Sequence, residues 1–178
     1  MNDHTANDDT ANDETLARAG QVVRDADGRA VLRFHRRHTE PVTDVWSAIT
    51  DPDRCARWFG RWSGDGRPGG TVALVLTSAE DGGGPPSDML VRDCEPPHRL
   101  VVEVREGDGE PWELSATLTP DGDGTLLVFE QVLPEGFSPA DAGPGWHWYL
   151  DRLAAVLAGA PMPDWEATLA ATVEHYRV

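Results

Sequence analysis

The segment Gly143–Gly159 reads GPGWHWYLDRLAAVLAG and sets His147 between Trp146 and Trp148. An unperturbed imidazole exchanges its proton close to neutral pH. A histidine walled by indoles therefore invites an acid–base or ligand-binding role, provided a cavity supplies it with a polar partner. Helical spacing argues for something plainer. At about 100° per residue, Trp146, Tyr149, Leu150, Leu153, Val156 and Leu157 share one stripe. Trp148, Asp151, Arg152 and Ala155 lie opposite, which leaves His147 on the flank as a rim residue and Trp148 turned outward.

Two carboxylates compete with it. Glu103 and Glu130 each interrupt apolar strand positions, and Glu130 shares parity with Leu126, Val128 and Val132. If that parity faced a cavity, burial would raise the carboxyl pKa towards that of a general acid. If it faces water or an arginine, Glu130 is structural, and this is the plainer expectation.

Other chemical signatures fail on context. His35 and His38 are separated by three residues on a strand and so point to opposite faces. The six histidines include no HxH or HExxH spacing, so no metal site is expected. Asp121–Thr125 matches the DxDGT nucleophile motif of phosphatases, but Pro120 precedes it and a strand follows, which reads as a hairpin turn. Gly60–Gly64 (GRWSG) misses the GxSxG elbow by one residue. Cys55 and Cys94 lack CxxC spacing and read as reduced thiols in a reducing compartment, small core residues rather than nucleophiles.

The elements that must position these residues are mostly strands. QVVRD and RAVLRFHRR flank the turn Asp25–Gly28, a first hairpin. Val42, Val45, Trp46 and Ile49 form one face of a short helix, and Asp51-Pro52 then caps and opens a second helix carrying Cys55, Trp58 and Phe59. TVALVLTS, SDMLVRDC, RLVVEVRE, WELSATL and TLLVFEQVL follow with short connectors and no crossover helices, the pattern of an antiparallel sheet. TVALVLTS is apolar on both parities, as a central strand can be. The long helix comes next, and after Pro163 a last one is expected with Trp165, Leu169, Val173 and Tyr176 along one face. The predicted organisation is a disordered acidic tail over 1–19, one α+β domain over 20–160, and a helical extension over 161–178.

Composition excludes several partners. Fifteen Lys+Arg against 31 Asp+Glu give a formal net charge of −16. Such a surface repels nucleic acid and anionic lipid, so neither nucleic acid nor membrane is expected as a partner. No lysine occurs anywhere, which removes phosphate loops of the Walker type and pyridoxal Schiff-base chemistry. No cofactor is implied. The N-terminus lacks the basic-then-apolar layout of a secretory signal, which points to the cytoplasm.

Order and motifs together resemble the START-like (SRPBCC) superfamily, and within it the family of the activator of heat-shock-protein ATPase. The matching pieces are Val45–Pro52, Arg57-Trp58-Phe59, Glu95–Leu100, Gly124-Thr125-Leu126 and Gly145–Leu153, within residues 29–159. The resemblance implies a helix-grip fold, a curved antiparallel sheet of about 6–7 strands wrapped around a long C-terminal helix, with a cavity between them. It also implies a hydrophobic or aromatic small-molecule ligand, with Trp58, Phe59, Trp62, Met89, Trp112, Trp146 and Leu150 expected at the cavity. Two other functions stay open beside it. One is a cyclase- or aromatase-type enzyme using Glu130 or His147. The other is a regulator of the heat-shock chaperone acting through its surface.

Overall fold

The computed structural model describes residues 17–77, 85–105 and 110–177. Residues 1–16, most of the expected acidic tail, lie outside them. One antiparallel sheet organises the chain. Its strands are β1 (Gln21–Arg24), β2 (Ala30–His38), β3 (Gly60–Gly64), β4 (Thr71–Leu76), β5 (Ser87–Glu95), β6 (Arg99–Arg105), β7 (Trp112–Asp121) and β8 (Gly124–Val132). They run in the order β1-β2-β8-β7-β6-β5-β4-β3. Helices α1 (Val42–Thr50) and α2 (Pro52–Cys55) form the elbow between β2 and β3. Helix α3 (Pro139–Ala158) packs on the sheet, and α4 (Trp165–Thr172) continues into a 3-10 turn, Val173–Tyr176. This is the helix-grip fold, with one strand more than expected.

The additional strand is β3. It carries a single large apolar side chain, Trp62, so it gave no alternating pattern to read. It forms an edge of the sheet, and Gly60 lies so close to β4 that a Cβ there would come within 2.5 Å of the Val75 carbonyl oxygen. Its partner β4 is therefore next to an edge rather than central. Val72 and Leu74 point inward, while Val75 and Leu76 stand exposed.

Alternation decides which side chains reach the interior. Leu32, Phe34, Arg36 and His38 point inward from β2; Leu114, Ala116 and Leu118 from β7; Thr125, Leu127, Phe129 and Gln131 from β8. The register places Phe34 opposite Phe129 and Ala116 opposite Phe129 on the other side. The DxDGT look-alike is the β7–β8 turn, with Asp121 paired to Gly124 and Gly122 at φ 62°.

Helix α3 begins with Ser138, whose hydroxyl accepts from the Ala140 N–H at 3.2 Å, and Pro139 occupies the first turn, where its missing N–H costs nothing. It ends at Gly159, whose φ of 64° suits a left-handed cap. Trp146, Leu150 and Leu153 face the sheet.

The chain ends meet behind α3. Gly20 donates its N–H to the Tyr176 hydroxyl at 2.8 Å, and Arg18 pairs with Asp151 at 3.2 Å. Ala19 packs on the core. Gly143 lies against the Tyr176 ring, where a Cβ would come within 2.4 Å. Of the expected face Trp165, Leu169, Val173 and Tyr176, only Tyr176 is buried; Thr168 and Thr172 complete the buried side after α3. Trp165 instead packs edge-on against Trp148 outside the domain core. Its threonines satisfy their hydroxyls within the helix, Thr168 to Asp164 O and Thr172 to Thr168 O, which lets them be buried.

Candidate functional site

A cavity of about 320 Å³ lies between the sheet and α3. Its walls come from elements distant in sequence. The elbow contributes Trp46, Ile49, Thr50, Trp58 and Phe59; β3 to β6 contribute Trp62, Met89, Cys94 and Leu100; β7 and β8 contribute Leu114, Ala116, Leu127 and Phe129; and α3 contributes Trp146, Leu150 and Leu153. Six of the seven residues expected at the cavity line it: Trp58, Phe59, Trp62, Met89, Trp146 and Leu150. Trp112 does not. It has the inward parity, but it is the first residue of β7, and its indole packs at the margin of the core.

The aromatic rings form a connected wall. Trp58 stacks on Phe59 with centroids 5.3 Å apart, Phe59 meets Trp146 at 5.4 Å, and Trp146 meets Phe129 at 4.5 Å. Two of the indoles have their polar edge already satisfied. Trp58 donates Nε1–H to the Ala48 carbonyl at 3.0 Å, and Trp146 donates to Gln131 Oε1 at 2.6 Å. What these rings offer the cavity is their apolar surface. Arg152 ties α3 to the elbow by donating to the Trp58 carbonyl at 2.8 Å.

The acid–base candidates are elsewhere. Glu130 is on the outer face of the sheet, because the inward parity of β8 belongs to Leu127, Phe129 and Gln131. Its carboxylate accepts from Arg33 Nε at 2.6 Å and from the Ser115 hydroxyl at 3.4 Å. Glu103 is likewise on the outer face, and Arg92 and Arg105 hold its carboxyl below the usual range. The two thiols do line the cavity, but burial pushes Cys55 up to about 11 and raises Cys94, so both stay protonated at neutral pH.

His147 is not a rim residue. It is completely buried, on the side of α3 that faces β2 and the chain ends rather than the cavity. Its Nε2 lies 3.4 Å from Asp151 Oδ2, without hydrogen-bond alignment. Asp151 also lies 3.7 Å from Arg36 Nε, and Arg36 is itself buried, donating to the Arg18 and His35 carbonyls. Burial pushes the Asp151 carboxyl up, yet His147, Arg36 and Arg18 together outweigh it and hold the group below its ordinary value. Trp148 is not turned freely outward either, since its indole N–H donates to the Pro163 carbonyl at 3.0 Å beneath the C-terminal segment. Gln131 and Arg36 escaped the sequence reading. The available signal for Gln131 was a polar residue on the parity of Leu127 and Phe129, the same kind of signal that Glu130 gave on the other parity. Among the described residues, no cluster of His, Cys, Asp or Glu could hold a metal ion. No helix there is long and apolar enough to cross a membrane.

Comparison with known proteins places this geometry. Residues 39–158 match the model of the family described as Activator of Hsp90 ATPase homolog 1-like protein. Among solved structures, CalU16 from Micromonospora echinospora is 30% identical, with a TM-score of 0.69 over 89% of this chain and 94% of that one. A protein from Bordetella parapertussis is 28% identical, with a TM-score of 0.70 over 83% of this chain and 86% of that one. DynU16, a protein of the dynemicin biosynthetic locus, is 30% identical with a TM-score of 0.64; the match covers 75% of this chain and 49% of DynU16. Among curated proteins none matches at a significant level.

Proposed function

The chain belongs to the Activator of Hsp90 ATPase homolog 1-like family of the START-like superfamily, and on that premise we propose that it binds a hydrophobic or aromatic small molecule between sheet and α3. One observation carries the proposal: a cavity of about 320 Å³ whose walls are aliphatic and aromatic, with indole N–H groups tied down behind them. That size lies at the lower end of the range for ligand pockets. The similarity to DynU16, a protein of a biosynthetic locus, fits a metabolite as occupant. Catalysis by Glu130 or His147 has no support from the geometry, since neither side chain reaches the cavity.

The test is direct. Protein purified under native conditions from its own host should carry a bound organic molecule detectable by native mass spectrometry. The purified chain should also bind N-phenyl-1-naphthylamine with blue-shifted emission and quenching of tryptophan fluorescence. Trp58→Ala should weaken that binding at least tenfold. A probe that leaves tryptophan emission unchanged would remove the cavity from consideration. Co-purification with the chaperone in place of a small molecule would favour the surface role.

A further inference from the structure

Among the described residues, every side chain lining the cavity is uncharged. Of the arginines near the lining, Arg54 pairs with Asp44, Arg61 with Asp53, Arg99 with Asp93, and Arg152 with the Trp58 carbonyl, while Arg57 is exposed on the elbow and does not line the cavity. Most of the walls are strands whose backbone N–H groups are taken up in the ladders β4–β5, β5–β6, β6–β7 and β7–β8. Where a helix end reaches the lining, it is the C-terminal end of α1, through Ile49 and Thr50, and that end of the helix dipole is negative. The whole chain adds a net charge of −16.

We propose that the cavity takes an uncharged aromatic ligand and rejects the corresponding carboxylate, sulfonate or phosphate. The inference rests on the cavity being the ligand site and names the chemical class of that ligand. An ionised acid entering these walls would lose its hydration and find, among the described lining residues, no cation and no positive helix end. The same enclosure costs an uncharged ring system nothing of the kind and gives it aromatic surface to pack on.

A matched pair of probes tests this. N-phenyl-1-naphthylamine and 8-anilinonaphthalene-1-sulfonate share one ring skeleton and differ in the sulfonate. Both are titrated by fluorescence against the full chain at pH 7, in about 0.15 M salt so that long-range surface repulsion is screened. The neutral probe should bind at least about 100-fold more tightly, and Leu100→Arg, placing a cation in the wall, should close that gap at least tenfold by raising sulfonate affinity. Cys94→Arg is the alternative if Leu100→Arg does not fold.

Comparable affinities in the unmodified protein would overturn the charge selection and leave the cavity as a binding site. Sulfonate that stays excluded from a folded arginine variant would also overturn it, by showing that size rather than charge is read. Failure of both probes to bind would overturn the cavity reading itself.

Discussion

Ala116 offers a test in which stability and binding should move in opposite directions. It sits inward on β7 between Leu114 and Leu118, opposite Leu100 and Phe129, and lines the cavity. Ala116→Leu adds three carbons to a wall that faces open space. At about 0.8 kcal/mol per buried methylene, the ceiling of the gain is about 2.4 kcal/mol. Part of that is forfeited to side-chain ordering and imperfect fit, so about 1 kcal/mol is expected, a rise of roughly 2–4 °C in Tm for a chain of this size. The leucine occupies space a ligand needs, so N-phenyl-1-naphthylamine should bind at least about tenfold more weakly, a loss of about 1.4 kcal/mol. Differential scanning fluorimetry and the fluorescence titration measure the two quantities on one preparation. In a closed, well-packed interior the same substitution would cost about 1–3 kcal/mol through overpacking. A fall in Tm together with unchanged probe binding would refute the cavity.

Asp151→Asn should destabilise the fold by about 3–5 kcal/mol in urea titration, because it leaves the buried Arg36 cation uncompensated; Arg36→Met in the same background should recover part of the loss, and a cost below about 0.5 kcal/mol would contradict the pairing. The folded Asp151 carboxyl binds its proton less tightly than in the unfolded chain, so its contribution is complete above the ordinary carboxylate range. It should fade as pH falls through the lower folded value, an acid destabilisation that Asp151→Asn largely abolishes in pH-dependent melts. Gly143→Ala should push the Tyr176 ring away from α3 and cost about 1–3 kcal/mol, with faster amide exchange at Gly20, whose N–H would lose the tyrosine hydroxyl. Gln131→Leu should cost about 1–3 kcal/mol by stranding the Trp146 indole N–H, and Trp146→Phe added to it should not cost the same amount again.

The fold was legible because alternation and helical spacing are local properties. The hairpin at Asp25–Gly28, the Asp51-Pro52 elbow and the stripe Trp146–Leu150–Leu153 all follow from short-range geometry, and the structure places them as spaced. Residues 1–16 of the expected tail fall outside the described chain. What escaped depended on contacts distant in sequence. The parity of β8 could be read, but not which parity faces inward, and Glu130 against Gln131 turns on that choice. His147 looked like a rim residue because helical angle alone ignores what else covers the helix. On this side of α3 the Tyr176 ring lies against Gly143, one turn before His147, and its hydroxyl accepts from Gly20, 156 positions away in the chain. Trp112 shows the opposite failure, with the correct face but the wrong place along the strand.

Helix α3 has two jobs that its sequence interleaves at spacing of four. Trp146 and Leu150 face the cavity, while His147 and Asp151 face the buried charges and the chain ends. Apolar contact alone is non-directional and favours closing any gap between helix and sheet. Hydrogen bonds have fixed lengths and directions, so they can hold a helix at a set distance from its sheet. Three such struts reach α3: Trp146 to Gln131, Arg152 to the Trp58 carbonyl, and Arg18 to Asp151, which also pairs with the Arg36 charge at 3.7 Å. They attach to β8, to the elbow and to the β2 side, so they resist tilt and rotation as well as approach. The polar residues around α3 thus act on the cavity from outside it. They keep an apolar helix from collapsing onto an apolar sheet, and a space survives between the two.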